Sequence, residues 1–185
     1  MKEREILKIT ETAILAALAI ILHLLCNLIP FLTMPQGGSV SLGMLPIIVL
    51  ALRRGVKYGV IGGVIFGFLN FMTDGFIIHW GSIFFDYLLA CGLLGLAGLF
   101  KNCKRTWMTI ILATSLAGFL KYLCHSVSGV LFFTSYAEEM GYESLSGYFY
   151  YSFIFYNLPY MAISTLLSIL VAGFTRNIIF GDLGK

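Results

Sequence analysis

The chain has 185 residues, of which 59% are hydrophobic and only 11% are charged. A soluble domain carries about a quarter charged residues, so this composition indicates a protein that lies in a lipid bilayer. At roughly 20 residues per membrane-spanning helix, six spans use most of the length, and residues 1–185 form one transmembrane domain. The net charge of +3 does not point to nucleic acid, because the basic residues fall in a pattern typical of a membrane face.

Eleven of the twelve Lys and Arg residues lie in four short clusters that are separated by pairs of apolar stretches. The clusters occupy residues 2–8, 53–57, 101–105 and 176–185, whereas residues 30–40, 73–75 and 134–147 contain neither Lys nor Arg. Basic residues are retained on the cytoplasmic side of a membrane. The pattern therefore predicts an all-α integral membrane protein, with six transmembrane helices in one bundle and both termini in the cytoplasm. The first stretch has no small-x-small cleavage site after it, so we interpret it as a retained span.

The second predicted span is short. In chain order the spans cover residues 6–29, 41–52, 58–72, 83–99, 108–133 and 148–174. A helix of about a dozen residues cannot cross a core of about 30 Å at 1.5 Å per residue. Irregular backbone at membrane depth is tolerated only where it is buried in protein or lines a cavity. The preceding loop, Met34–Val40, is therefore a candidate lid over a binding site, with Gln36, Gly37, Gly38 and Ser39 at its centre.

Glycines recur along the third and fourth spans. Those of the third span stand four residues apart, and such small-residue strips allow helices to approach closely. We interpret both strips as packing surfaces; they consist of Gly55, Gly59, Gly63 and Gly67, and of Gly92, Gly95 and Gly98.

Few ionisable residues remain inside the spans. Lys121, His125 and Gly129 are spaced i, i+4 and i+8, so they share one face of the fifth span, and Phe133 continues that face. Alone, Lys121 could extend to the membrane interface, and His125 could be a hydrogen-bonded core histidine. Their shared face favours one wall of a polar pocket.

Asp86 opens the fourth span and needs a partner, either Lys121 or a cationic ligand. Aromatic residues at the start of the sixth span are typical of an interfacial belt, but Asn157 lies deeper. Aromatic faces bind cations by stacking and cation–π attraction. A small, flat, cationic heterocycle suits the predicted set Asp86, Tyr87, His125, Phe133, Tyr151 and Asn157.

Ala13 and Ala17 form a small-xxx-small pair on the first span. Such a pair permits close approach of a helix from another subunit or, alternatively, packing inside the bundle.

At these residues the chain resembles the thiamine-specific substrate-binding (S) components of energy-coupling factor (ECF) transporters. The resemblance covers nearly the whole chain. It is carried by PQGGSVSLGMLPI at residues 35–47, LRRG at 52–55, FDYLLACGLLGLAGLF at 85–100, KYLCHSVSGVLFFTSYA at 121–137 and YSFIFYNLPYM at 151–161.

The resemblance implies a high-affinity thiamine-binding subunit, multi-pass in a prokaryotic cell (plasma) membrane. Thiamine is the transported ligand, and no cofactor or metal is expected. The implied partners are a transmembrane coupling subunit, docked at Ala13 and Ala17, and two ATPase subunits. The implied thiamine contacts are Asp86, Tyr87, Lys121, His125, Gly129 and Asn157.

Three positions depart from the family pattern. A lid tryptophan of some members is replaced by a small residue near Gly37, and a stacking tryptophan is Phe133 here. Either Tyr151 or Ser152 takes the place of a family tyrosine.

Other functions fit the chain less well. No phosphate-binding loop is present, which agrees with the separate ATPase subunits that the resemblance implies. Ser126 to Gly129 do not form the Gly-x-Ser-Gly turn of an intramembrane protease, and no catalytic residues are expected. The remaining alternatives are a stand-alone secondary carrier, or an S component for a related pyrimidine or thiazole compound.

Overall fold

The computed structural model describes residues 2–180, and these residues are mainly helical. Lys185, one of the basic residues used above for orientation, lies outside the described residues. The helices are α1 (Lys2–Asn27), α2 (Met44–Arg54), α3 (Val56–Asp74), α4 (Trp80–Phe100), α5 (Trp107–Phe132), the short α6 (Thr134–Glu139), and α7, which begins at Leu145 and ends at Phe180. Two of them contain a π-helical segment, Ile83–Leu89 in α4 and Tyr150–Asn157 in α7, and the end of α4, Leu94–Phe100, is a 3₁₀-helix.

Within the described residues, α1, α3, α4, α5 and α7 are long and apolar enough to cross a membrane. Helix α2 has 11 residues and extends about 17 Å at 1.5 Å per residue. The prediction of a short second helix is confirmed. Every residue of α2 from Met44 to Leu52 is buried, because α1, α3, α4 and α7 surround it.

The loop before α2 is more regular than its composition predicts. It opens with a 3₁₀ turn, Pro30–Leu32, and Thr33 then forms an antiparallel bridge with Ser39. Backbone hydrogen bonds from Met34 to Gly38 (2.9 Å) and from Val40 to Leu32 (2.8 Å) close it into a small hairpin. Gly37 and Gly38 supply the tight turn at the tip, with φ of +81° and +83°. We call residues 33–39 the lid.

The predicted glycine packing is confirmed between α3 and α4. A Cβ atom on Gly63 would lie 2.1 Å from the carbonyl oxygen of Cys91, and one on Gly67 would lie 2.2 Å from that of Tyr87. Only glycine permits such backbone contact. Gly92 is less tightly packed, since its Cβ would meet a Val64 methyl group at 3.2 Å. The contact at Gly67 fixes the start of α4 against α3, and with it the position of Asp86.

The basic clusters meet at one end of the bundle. Glu11 of α1 forms ion pairs with Arg53 and Arg54 at the end of α2. Arg105 donates a hydrogen bond to the Leu52 carbonyl (2.6 Å), and Arg53 donates one to Ile179 in α7. The lid lies beyond the opposite end of α2, so the bundle has a basic end and a lid end.

Candidate ligand-binding site

A cavity lies beneath the lid, between α4, α5 and α7. All eight side chains or backbone positions predicted to bind ligand line this one cavity: Asp86, Tyr87, Lys121, His125, Gly129, Phe133, Tyr151 and Asn157. The four lid residues Gln36, Gly37, Gly38 and Ser39 line it as well.

The Asp86 carboxylate is held by two groups on α5. His125 Nδ1 lies 2.9 Å from Oδ1 of Asp86, and the Ser128 hydroxyl donates to Oδ2 at 2.6 Å. The side chains of Asp86 and His125 are each 15% exposed. Because Nδ1 faces the carboxylate, Nε2 is the ring nitrogen of His125 that is left for a ligand. The cluster thus offers a carboxylate and an imidazole in fixed orientations.

The sequence analysis considered Lys121 as a partner for Asp86, and the structure places that ammonium elsewhere. Lys121 Nζ lies 5.9 Å from the centre of the Phe66 ring, a cation–π contact, and no ion pair within 4 Å joins it to the described side chain of Asp86. The position of each residue along α5 explains the difference. Ser128 lies nearer than Lys121 to the height of Asp86 in the bundle. Lys121 therefore supplies a positive charge at a separate part of the cavity wall.

Both π-helical segments carry cavity residues. Asp86 and Tyr87 lie in the segment of α4, and Tyr151, Ser152 and Asn157 lie in that of α7. A π-helical turn changes the direction of side chains relative to a regular α-helix and often occurs at functional sites. Adjacent residues such as Asp86 and Tyr87 consequently reach the same cavity.

On α7 the polar groups largely satisfy one another. Asn157 accepts a hydrogen bond from the Tyr160 hydroxyl (2.7 Å) and donates to the Ser152 carbonyl (2.9 Å). Ser152 donates to the Ser126 carbonyl at 2.8 Å, and its hydroxyl occupies the space where a side chain at Gly129 would stand. Both Tyr151 and Ser152 line the cavity, but the hydroxyl of Ser152 is engaged in joining α7 to α5. Tyr151 is therefore the better candidate for an aromatic ligand contact.

Phe133 belongs to an aromatic group at the lid end. It follows the last residue of α5, and its ring stacks on Phe76 (6.3 Å between centres, 24° between planes) and on Tyr136 (6.4 Å, 27°). Offset rings of this kind form a flat apolar wall. Phe76 comes from the loop between α3 and α4, which carries no periodic signal in the sequence.

Several cavity residues were missed by the sequence analysis. They come from α1, α3, two loops and further positions of α7: His23, Ser41, Asn70, Phe76, Tyr156, Tyr160 and Ser164. His23 and Asn70, polar residues within apolar spans, were the signals that composition offered. Ser128 was also missed as a partner of Asp86, because its distance from that carboxylate depends on how α4 packs on α5.

Ala13 and Ala17 lie on an exposed face of α1, whereas Ala16 and Ala19 are buried against the bundle. The predicted docking pair is thus available to another helix.

Membrane-length helices around a cavity closed by a lid define an integral membrane protein built to enclose a small molecule. Comparison with known proteins gives the family. Residues 9–178 match the family described as thiamine transporter protein (Thia_YuaJ), and the chain belongs to this family.

Two relatives carry the name thiamine transporter ThiT. The protein of Bacillus subtilis is 31% identical over 149 residues, which cover 75% of this chain and 77% of the relative. The protein of Lacticaseibacillus paracasei is 31% identical over 158 residues, which cover 75% and 74%. A solved structure of ThiT from Listeria monocytogenes superposes with a TM-score of 0.68 at 27% identity, covering 97% of this chain and 96% of that one. The family is one of transporters rather than enzymes, and the chain is a multi-pass protein of the prokaryotic cell membrane.

Proposed function

We propose that this chain binds thiamine with high affinity and delivers it across the membrane as the S component of an ECF-type importer. The observation that carries the proposal is the Asp86 carboxylate, held by His125 and Ser128 inside a cavity with an aromatic wall. Thiamine combines an aminopyrimidine, a cationic thiazolium ring and a hydroxyethyl group.

The chemistry of the cavity complements these groups. A carboxylate accepts hydrogen bonds from an amino group and balances a positive charge. Phe133, stacked on Phe76, offers a flat face to a heteroaromatic ring. The names of the two relatives support the same ligand.

Binding of a ligand panel to the purified protein tests this proposal. Calorimetric titration with thiamine should give saturable binding, while the isolated pyrimidine and thiazole halves should bind more weakly. Tighter binding of either half would favour the alternative of an S component for a related compound. Absence of binding to all three would contradict the proposed function.

The transport role requires a partner. We infer six membrane-inserted helices, with α2 as the short one, and both termini on the cytoplasmic side, because the basic clusters gather at one end of the bundle. The exposed Ala13–Ala17 face of α1 supports docking of a transmembrane coupling subunit, which would connect the chain to two ATPase subunits.

Co-purification discriminates between this role and the stand-alone carrier. The tagged chain, isolated from its native membrane, should retain a coupling subunit and two ATPases, and uptake should require ATP. Uptake by the chain alone in ATP-free liposomes would instead establish a secondary carrier.

A further inference from the structure

The binding cavity and an outer groove share a thin wall. The groove is lined by Asn27, the lid, the end of α3 and the α3–α4 loop, and both the cavity and the groove are lined by Gly37, Gly38 and Phe76. A Cβ atom built on Gly37 would lie 3.1 Å from Cβ of Phe76, so the lid backbone rests directly on that side chain. If the lid backbone moved away from Phe76, the cavity would open into the outer groove.

Of the two surfaces in this contact, Phe76 is held more firmly than the lid. Its backbone N–H donates to the Tyr87 hydroxyl at 2.7 Å, and its ring stacks on Phe133. Tyr87 belongs to α4, which is held by close backbone contact with Gly67 of α3.

Among the described residues, one helix side chain forms hydrogen bonds with the lid. The Tyr156 hydroxyl accepts the N–H of Gln36 at 2.9 Å and donates to the Gly37 carbonyl at 2.7 Å. In the described part of the chain, these two are the hydrogen bonds that join residues 33–39 to a helix. The phenol thereby uses its donor and one acceptor position on adjacent lid residues.

The lid hairpin does not depend on this attachment for its own shape. Its bond from Met34 to Gly38 is internal, and glycine adopts the positive φ at its tip without strain. Loss of the Tyr156 hydroxyl therefore releases an intact hairpin and leaves the remainder of the cavity in place.

We propose that Tyr156 is the latch of the lid, a residue whose hydroxyl sets how long the lid tip stays closed on Phe76. The proposal rests on the proposed function for its probe, thiamine. Tyr156 acts by positioning the lid, so the test needs a measurement on the lid itself.

The test compares Tyr156→Phe with the unchanged chain in two measurements. In a chase with excess unlabelled thiamine, bound labelled thiamine should dissociate about tenfold faster, which corresponds to about 1.4 kcal/mol. In the ligand-free protein, backbone amides of residues 33–40 should exchange hydrogen faster, because the closed lid is less populated. Exchange elsewhere in the bundle should stay the same.

Tyr122→Phe is the matched control. Its hydroxyl also donates to a backbone carbonyl, that of Phe153 at 2.9 Å, but Tyr122 does not line the cavity. This variant should leave both measurements unchanged. Faster dissociation from Tyr156→Phe with unaltered lid exchange would overturn the proposal, because the hydroxyl would then act on the ligand and not on the lid.

A second variant covers the case in which Tyr156→Phe does not fold. Gly38→Ala adds a Cβ atom 3.0 Å from the Tyr160 ring at a φ of +83°, so it disturbs the docked lid from the lid side. Bound thiamine should dissociate faster from this variant, and unchanged dissociation would contradict the closed lid tip as the barrier to release. Failure of the unchanged chain to bind thiamine would refute the proposed function, and the exchange comparison would still decide the role of Tyr156.

Discussion

At the scale of single residues, the carboxylate of Asp86 is oriented by two partners on one helix. His125 and Ser128 both bind it from α5, and the carboxylate lines the cavity. A buried carboxylate without such partners would be costly, whereas two hydrogen bonds keep it oriented.

Replacement of Asp86 by Asn removes the negative charge and keeps the shape of the side chain. We expect thiamine affinity to fall at least about tenfold, or about 1.4 kcal/mol, in calorimetric titration, while the protein remains folded. Glu139→Gln is the control, since this exposed acid of α6 lies outside the cavity. Unchanged affinity in Asp86→Asn would remove this carboxylate from the site.

Phe133 tests the aromatic wall. Phe133→Ala should weaken thiamine binding, because a ring that stacks on Phe76 is lost. Phe133→Trp keeps a larger aromatic face and should retain or tighten binding. Equilibrium titration of both variants decides the matter, and normal binding by Phe133→Ala would show that the wall does not contact the ligand.

At the scale of helices, the site depends on how closely α4 lies on α3. The contact of Gly67 with the Tyr87 carbonyl falls within the π-helical segment that carries Asp86. The packing of one helix pair thus determines the height and direction of the charged group.

Gly67→Ala introduces a methyl group where the Tyr87 carbonyl now lies 2.2 Å away. Overpacking of this kind costs about 1–3 kcal/mol, and we expect a lower melting temperature together with weaker thiamine binding. Gly92→Ala is the comparison, because its new methyl group meets only a Val64 side chain at 3.2 Å, which can shift. Equal melting temperatures for the two variants would mean that α4 moves freely along α3.

The sequence predicted the helices well because membrane helices follow from long apolar stretches. It predicted Lys121, His125 and Gly129 together because one helical face carries all three. It could not predict Phe76 or the partnership of Ser128 with Asp86. Phe76 lies in a loop, where no period specifies the direction of a side chain. The Ser128 contact depends on a π-helical segment and on the relative height of two helices, and neither is encoded in local spacing.

At the scale of the whole molecule, the two ends of the bundle differ in chemistry. The basic end is joined by Glu11 with Arg53 and Arg54, and the lid end contains the cavity. The exposed Ala13–Ala17 face lies on α1 near the basic end, away from the cavity. The proposed binding site and the proposed docking surface are therefore separate.

The double variant Ala13→Trp with Ala17→Trp separates these two activities. Bulky rings on the exposed face should block close approach of the coupling subunit but leave thiamine affinity as in the unchanged chain. Uptake in cells that contain the partner subunits should be lost. Leu170→Trp is the control, because Leu170 is an exposed residue of α7 and should not affect uptake. Normal uptake by the double variant would mean that another surface docks the partner.

Because α2 is short, the basic end and the lid end of the bundle should differ in rigidity. Its 11 residues fill only the basic half, so the lid half has a hollow where a full-length helix would supply side chains. A ligand bound there would fill this space, and occupancy at a hundredfold excess over Kd would add about 2.7 kcal/mol to folding stability. The ligand-free protein should therefore be rigid at the basic end and more flexible at the lid end. Ligand binding should make the lid end as rigid as the rest of the bundle.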